Sequence, residues 1–238
     1  MKFKFSITSP LFSKILKSLS FTLVCFLSVI IGFVSCSAGK EDGIVSISLP
    51  SRSAFGSMVN SASREVSSQY ATVFLIGDYS DKKTVALAEG ENSVVTFDSI
   101  PTGSMVRVVC TWNGTVPDDI DSKSRGAIGV SDEVTIVGGS KQTASVTMRN
   151  IRLTNQVYGE TGPTGIAKIY YDGDFDSYIS LPGLCTYKFK FISSESAEYT
   201  TSSSFYEIFG TASAFAVTAK IFYGDTEVLS LYVPNDGI

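Results

Sequence analysis

Short runs in which apolar and polar residues alternate recur along this chain, and turn residues separate them. In the segment 44–49, Val45, Ile47 and Leu49 fall on one face before Pro50 ends the run. Runs of the same kind include VRVVCTW, LCTYKFKF and VLSLYV. Alternate side chains of a β-strand point to opposite faces of a sheet, so a period of two is typical of strands with one buried face. The sequence therefore predicts an all-β fold of antiparallel sheets, with no helix longer than one or two turns after the N-terminal segment.

The spacing of these runs predicts two β-sandwiches in tandem, over residues 43–150 and 151–238. The first region carries about seven strands in about a hundred residues, which is the size of an immunoglobulin-like sandwich. Gly138-Gly139 predicts the turn of one hairpin. Gly224-Asp225 predicts another, since glycine at the first central position suits a type II′ turn. One larger sandwich is the alternative, because a chain of this length can form one large domain or two small ones.

The segment VVTFDSIPTGSMVRVV joins two strand-like runs through Ile100-Pro101 and Gly103. Proline ends the first run because it lacks an amide hydrogen, and glycine permits the turn. This segment resembles the corresponding part of prealbumin-like and Cna-B-like Ig domains, and GVSDEVTIVGGSKQTASVTM resembles their closing hairpin. The resemblance covers Gly43 to about Asn150. It implies an Ig-like β-sandwich and carries no activity with it, because one fold serves many functions.

The N-terminal residues 1–35 have the order of a secretory signal. An apolar run, residues 21–34, follows a basic segment without acidic residues whose lysines are Lys2, Lys4, Lys14 and Lys17. The apolar run is shorter than the ~20 residues that a membrane-spanning helix usually needs. It ends at Cys36, which lies between two small polar residues. This pattern predicts a signal peptide over residues 1–35 that is cleaved before Cys36.

The tetrapeptide Phe33-Val34-Ser35-Cys36 resembles the lipobox of bacterial lipoproteins, in which a diacylglycerol is attached to the cysteine sulfur by a thioether bond. Ser35 matches the small residue at the cut. Phe33 stands where leucine is usual, a departure similar to that of spirochaete-type lipoproteins. The resemblance implies lipidation of Cys36, with residues 36–42 as a short tether to the folded part.

Two other N-terminal forms share this export pattern. Residues 18–39 contain no charged residue, so an uncleaved signal anchor is the first alternative. Ordinary cleavage with release of the protein is the second. All three forms place most of the chain outside the cytoplasm. The lipoprotein form predicts a location in the bacterial cell envelope, at the outer membrane or cell surface rather than the inner membrane, with the N-terminal lipid as the contact with the membrane.

Charge and composition exclude several functions. Without the leader the chain carries 15 basic and 23 acidic residues, a net charge of −8. An acidic protein lacks the cationic face that binds a nucleic-acid backbone, so no nucleic-acid partner is predicted. The chain has no histidine, which removes Ser-His-Asp and Cys-His catalysis and the usual mixed zinc sites. The sequence predicts a noncatalytic protein without a cofactor that binds a protein or glycan partner.

The segment YYDGDFDSY combines alternate carboxylates with aromatic residues. The carboxylates are Asp172, Asp174 and Asp176, and the aromatic residues are Tyr170, Tyr171, Phe175 and Tyr178. An EF-hand calcium loop is excluded, because it requires glycine where Ser177 stands and glutamate where Gly183 stands. Two interpretations remain. One is a looser calcium or glycan site with the aromatic rings as platforms, and the other is a solvated turn whose aromatic residues belong to the sheets.

Cys110 and Cys185 are the two cysteines outside the leader and the lipidation motif. An exported protein is able to oxidise such a pair. Two thiols in separate domains lie too far apart for a disulfide, which requires Cα atoms within ~7 Å. Buried free thiols are therefore predicted over a disulfide between Cys110 and Cys185.

Two arginines carry a second resemblance, to fimbrillin-type pilin subunits. Those proteins also start as lipoproteins with Ig-like sandwiches, and they mature by cleavage after an arginine near the first strand. Arg52 in LPSRSAF and Arg64 in SASREVSS match such a position. The resemblance implies a pilin or adhesin subunit that assembles by strand addition at an open sheet edge. An ordinary flexible loop over residues 51–69 is the alternative.

Overall fold

The computed structural model describes residues 41–54, 70–113, 124–157, 165–183, 185–192, 197–208 and 215–234. The predicted leader, Cys36 and Arg64 lie outside these residues. Glu41–Ile238 forms one compact unit. No helix within the described segments is long and apolar enough to cross a membrane. The strands are β1 Gly43–Leu49, β2 Tyr70–Gly77, β3 Asp81–Ala86, β4 Ser93–Ile100, β5 Met105–Asn113, β6 Arg125–Val130, β7 Val134–Thr135, β8 Lys141–Thr143, β9 Arg149–Val157, β10 Gly165–Tyr171, β11 Cys185–Ile192, β12 Ala197–Thr201, β13 Phe205–Ile208, β14 Ala216–Tyr223 and β15 Thr226–Val233.

These strands form three sheets, which confirms the predicted all-β fold. A small sheet has the order β4-β1-β8, and a four-stranded sheet has the order β12-β11-β14-β15. The central sheet has the order β13-β10-β9-β6-β5-β2-β3, with β7 paired to one end of β5. Within the described strands, every pairing is antiparallel except that of β1 with β8.

The central sheet packs against the other two sheets through opposite faces. Val73 and Val108 point into the core shared with the small sheet, which we call the small-sheet core. The next residues, Phe74 and Val109, point into the core shared with the four-stranded sheet, which we call the four-strand core. The alternation follows from the period of two in an extended strand. Strands covered on both faces must be apolar on both, as the run YATVFLIG of β2 is.

A tandem arrangement of two Ig-like sandwiches is not confirmed. The predicted boundary between Asn150 and Ile151 falls inside β9, which pairs with β6 on one side and β10 on the other. Val109 from the first region also shares the four-strand core with Phe189 from the second. The two regions therefore contribute strands to one central sheet.

Several local predictions are confirmed. Val45, Ile47 and Leu49 of β1 are at most 1% exposed, and β1 ends immediately before Pro50. The predicted hairpin of β14 and β15 forms around Gly224-Asp225. Gly224 takes a φ of +56° and Asp225 does not take a positive φ, as a type II′ turn requires.

The predicted hairpin around Gly138-Gly139 is wrong. The strand before this turn, β7, pairs with β5 of the central sheet, whereas the strand after it, β8, pairs with β1 of the small sheet. The glycine pair therefore makes a corner between two sheets. A Cβ atom on Gly138 would collide with the backbone carbonyl of Glu41, so glycine serves close packing here and does not reverse a hairpin.

Candidate functional site

A pocket of about 350 Å³ lies between three strands of the central sheet and β15 of the four-stranded sheet. The central sheet contributes Tyr70, Thr72, Phe74, Lys82, Thr111 and Asn113. Strand β15 contributes residues 227–230. The volume lies at the lower end of the range of small-ligand sites, and the lining is more polar than is usual for such sites.

The central-sheet wall of the pocket follows from strand periodicity. Tyr70, Thr72 and Phe74 are alternate residues of β2, so they share one face of the sheet. Thr72 lies directly opposite Thr111 on β5, and Phe74 lies opposite Lys82 on β3. The wall thus has an exposed phenol ring at one end, two neighbouring hydroxyl groups in the middle and a buried phenyl ring at the other end.

A β-bulge shapes the opposite wall. In the pairing of β14 with β15, Ile221 faces Leu229 and Phe222 faces Glu227, so Val228 is the extra residue. Val228 and Leu229 are consecutive and both buried, which a regular strand with one buried face does not allow. A bulge redirects side chains in this way. It places the polar groups of Glu227 and Ser230 on either side of an apolar pair.

The charged groups of the pocket are already engaged. The Nζ atom of Lys82 lies 5.2 Å from the centroid of the Phe74 ring. Glu227 accepts a hydrogen bond of 2.8 Å from Nζ of Lys220, and this hydrogen bond and the Glu227 charge raise the pKa of Lys220. One positive and one negative side chain line the pocket, so its charges balance.

Two threonines lie side by side on the central-sheet wall of the pocket. Thr111 is only 3% exposed, and Thr72 is half-buried. Asn113 is exposed, and Ser230 is half-buried. Sequence analysis missed these residues. The sequence offered one indication of the site, which is that Thr72 interrupts the otherwise apolar run YATVFLIG. Its partner Thr111 can be recognised only from the pairing of β2 with β5.

The aromatic rings of the predicted site in the segment 170–180, which we call the aromatic loop, are largely occupied by the chain itself. Lys168 is 9% exposed, and its Nζ donates a hydrogen bond to the carbonyl of Phe175. The same atom lies 4.6 Å from the Phe175 centroid and 5.0 Å from the Tyr178 centroid. Tyr170 contacts Phe175 edge to face at 5.0 Å, and Tyr178 lies 5.7 Å from Phe205. An internal cation thus fills the space between the rings that a ligand would need.

The carboxylates of the aromatic loop do not converge. Asp172, Asp174 and Asp176 are exposed, and no group of three potential metal ligands occurs among the described residues. Backbone hydrogen bonds stabilise the loop, including one from the Asp174 amide to the Tyr171 carbonyl at 2.9 Å. Gly173 adopts a φ of +88°, which glycine tolerates. This geometry favours the solvated turn over the calcium site.

Tyr171 packs inside the protein and is not available as a binding surface of the aromatic loop. It is buried in the four-strand core, and its ring lies under the guanidinium of Arg149, whose central carbon is 3.3 Å from the ring centroid. Its hydroxyl is bonded to the backbone of Ser180. Neither face of this ring is open as a platform.

The two cysteines are free thiols in different cores. Cys110 belongs to the small-sheet core, whereas Cys185 packs against the four-strand core on the other side of the central sheet. Burial raises the pKa of Cys110 to about 12. Burial also raises the pKa of Cys185, against a smaller lowering by a hydrogen bond with Tyr187. Neither thiol is activated as a nucleophile, because the thiolate is the reactive form.

Arg52, the described one of the two predicted cleavage positions, lies just after β1. Its guanidinium is 3.3 Å from a carboxylate oxygen of Glu89, and its amide donates to the Ala88 carbonyl at 2.8 Å. The amide of Ser53 donates to the Glu89 carbonyl at 3.3 Å. The peptide bond after Arg52 is therefore held against the loop between β3 and β4.

No protein-family model, curated protein or solved structure matches the chain. The resemblance to lipoproteins and to prealbumin-like domains rests on the motifs quoted above. Function is therefore inferred from the residues and their geometry.

Proposed function

We propose that the protein is a noncatalytic, lipid-anchored protein of the bacterial cell envelope whose β-sheet unit binds a partner outside the cytoplasm. The observation that carries this proposal is the sequence around Cys36, where a basic and apolar leader stops at Ser35-Cys36 and polar residues follow. The compact unit begins at Glu41, four residues after Ser37. A lipid on Cys36 would thus be separated from the folded unit by a short tether.

The acidic charge of the exported part supports the same role. A net charge of −8 repels the anionic surface of a membrane, so binding to lipid headgroups by charge is disfavoured. A lipid chain supplies the membrane affinity instead, through burial of its methylene groups at ~0.8 kcal/mol each. The two acyl chains of a diacylglycerol are sufficient for stable anchoring.

The test compares two cysteine variants of the full chain in cells. Cys36→Ala removes the proposed lipidation site, and Cys25→Ala is the matched control within the leader. We expect a clickable fatty acid to label the wild type and Cys25→Ala, and not Cys36→Ala. The mature N-terminal peptide should start at acylated Cys36 by mass spectrometry. An intact Met1 terminus without fatty acid would reject the lipid anchor.

A second candidate is a pilin or adhesin subunit that matures by cleavage after Arg52 or Arg64. One observation favours it: β1 is the middle strand of the small sheet, and Arg52 follows its end by three residues. Cleavage after Arg52 would separate β1 from the chain and leave a slot between β4 and β8. A strand of another subunit could fill that slot. An N-terminal peptide starting at Ser53 or Glu65 would favour this function over the lipid anchor.

A further inference from the structure

We propose that the pocket between β2, β5 and β15 binds a neutral, polyhydroxylated ligand of monosaccharide size, that is, one sugar unit. This site is different from the aromatic loop that the sequence predicts. It does not depend on lipidation of Cys36, so the failure of either proposal leaves the other standing.

The size of the pocket selects a small ligand. Its volume of about 350 Å³ is at the lower end of the roughly 300–1,000 Å³ typical of small-molecule sites. One sugar ring fits such a volume. Its walls belong to three paired strands and a bulged strand, so backbone hydrogen bonds fix the geometry before a ligand arrives.

The polar groups of the pocket match the hydroxyl groups of a sugar. Threonine and serine hydroxyls both donate and accept hydrogen bonds, and the asparagine amide offers two donors and an acceptor. Thr111 lines the pocket from β5, and the residue as a whole is only 3% exposed. Its hydroxyl is able to exchange hydrogen bonds with a ligand hydroxyl, since each can donate and accept. Thr72, directly opposite, presents a second hydroxyl.

An aromatic ring is available to contact the apolar face of a sugar. Tyr70 lines the pocket and is 57% exposed, so its ring is open to solvent. Aromatic rings contribute large apolar contact areas at interfaces while their polar end stays hydrated. Phe74, at the other end of the wall, is buried and takes part in the four-strand core, so it supports the pocket floor.

The balanced charge of the lining favours a neutral ligand. Lys82 lies over the Phe74 ring, and Glu227 is paired with Lys220. An anionic ligand would meet the Glu227 carboxylate, and a cationic ligand would meet Lys82. A neutral ligand avoids both repulsions.

The experiment uses the full chain in a deuterated zwitterionic detergent without a sugar headgroup. Saturation-transfer difference NMR would measure binding of glucose, galactose, mannose and N-acetylglucosamine at millimolar concentrations. We expect at least one of these sugars to bind. Glucuronate and glucosamine, the charged counterparts, should bind more weakly than the neutral sugar.

Three variants locate the binding. Tyr70→Ala should weaken it about tenfold by removing the aromatic contact, and Thr111→Val about fivefold by removing one hydrogen bond. Tyr178→Ala is the matched control, because Tyr178 is 62% exposed against 57% for Tyr70 and belongs to the aromatic loop. It should bind as the wild type does. Far-ultraviolet circular dichroism of each variant establishes that it is folded.

Three outcomes would overturn the proposal. One is that none of the neutral sugars binds the wild-type chain. Another is that Tyr178→Ala abolishes binding while Tyr70→Ala preserves it, which would move the site to the aromatic loop. The last is tighter binding of a charged sugar, which would reject the neutral ligand class.

Discussion

The phenol oxygen of Tyr171 makes two hydrogen bonds with the backbone of Ser180, donating to its carbonyl at 3.0 Å and accepting from its amide at 3.2 Å. Tyr171 is the last residue of β10, and Ser180 lies where the aromatic loop ends. A single buried side chain therefore holds the two ends of the loop together.

Tyr171→Phe removes both hydrogen bonds and keeps the ring. We expect the free energy of unfolding to fall by about 1–2 kcal/mol, because the Ser180 amide and carbonyl lose a buried partner. Urea unfolding measures this loss. Tyr178→Phe is the control, since Tyr178 is 62% exposed and its change should stay within about 0.5 kcal/mol. Equal effects of the two substitutions would show that the Ser180 contacts do not stabilise the loop.

One unfolding transition is expected for the whole β-sheet unit. Phe97 lies in the small-sheet core and Phe189 in the four-strand core, and both are fully buried. Phe97→Leu and Phe189→Leu should each destabilise the protein by roughly 1–2 kcal/mol and shift the same transition, because the central sheet belongs to both cores. Calorimetry checks this. Two transitions, each shifted by only one substitution, would restore the tandem arrangement.

Gly126 allows β15 to approach the central sheet. A Cβ atom at this position would lie 2.9 Å from the Trp112 carbonyl oxygen and 3.3 Å from Cδ2 of Leu229. Gly126→Ala should therefore cost about 1–3 kcal/mol in urea unfolding through overpacking. Gly90→Ala is the matched control, because nothing lies within 4 Å of its added Cβ. A neutral Gly126→Ala would mean that both β5 and β15 shift enough to admit the added methyl group.

Both described cysteines should resist alkylation in the folded protein. Iodoacetamide reacts with the thiolate, and burial raises the pKa of Cys110 to about 12 and that of Cys185 in the same direction. At about pH 8 we expect peptide mapping to find both thiols unmodified in the folded state and alkylated in urea. Rapid alkylation of Cys110 in the folded protein would contradict its position in the small-sheet core.

The same pKa shift makes the protein less stable in alkali. Between the ordinary thiol pKa of 9.0 and about 12, the unfolded chain releases the Cys110 proton while the folded chain keeps it. The unfolded state then binds fewer protons, so the free energy of unfolding falls as pH rises through this window. Urea midpoints over this range should fall less steeply in Cys110→Ala than in the wild type. An unchanged slope would show that Cys110 does not contribute.

Local periodicity predicted the strands and their buried faces well. The alternation of Tyr187, Phe189 and Phe191 in β11 correctly identified residues of the four-strand core. The glycine of Gly224-Asp225 correctly predicted a hairpin, because that turn depends on two adjacent residues. Gly138-Gly139 has an equally strong turn signal and joins two different sheets. Which sheet a strand joins depends on partner strands that are distant in the chain.

The candidate sites also combine features that are local in the sequence with features that depend on strand pairing. YYDGDFDSY brings carboxylates and rings together in the sequence, yet Lys168 fills the space between two of the rings. Thr72 and Thr111 are 39 positions apart in the sequence and lie opposite each other in the central sheet. No short motif identifies these two residues, because the pairing register of β2 with β5 brings them together.

The sequence by itself determined the β class, since that depends on a period of two. It also predicts a leader and lipidation of Cys36 from local charge and hydropathy, and these stay predictions. Tertiary structure alone decided that β9 continues a single central sheet and that the bulge at Val228 closes a pocket against β2 and β5. The physical reason is that side-chain alternation specifies which face of a strand is buried. Which strands pair, and which sheets cover each face, is settled by packing among residues that are far apart in the chain.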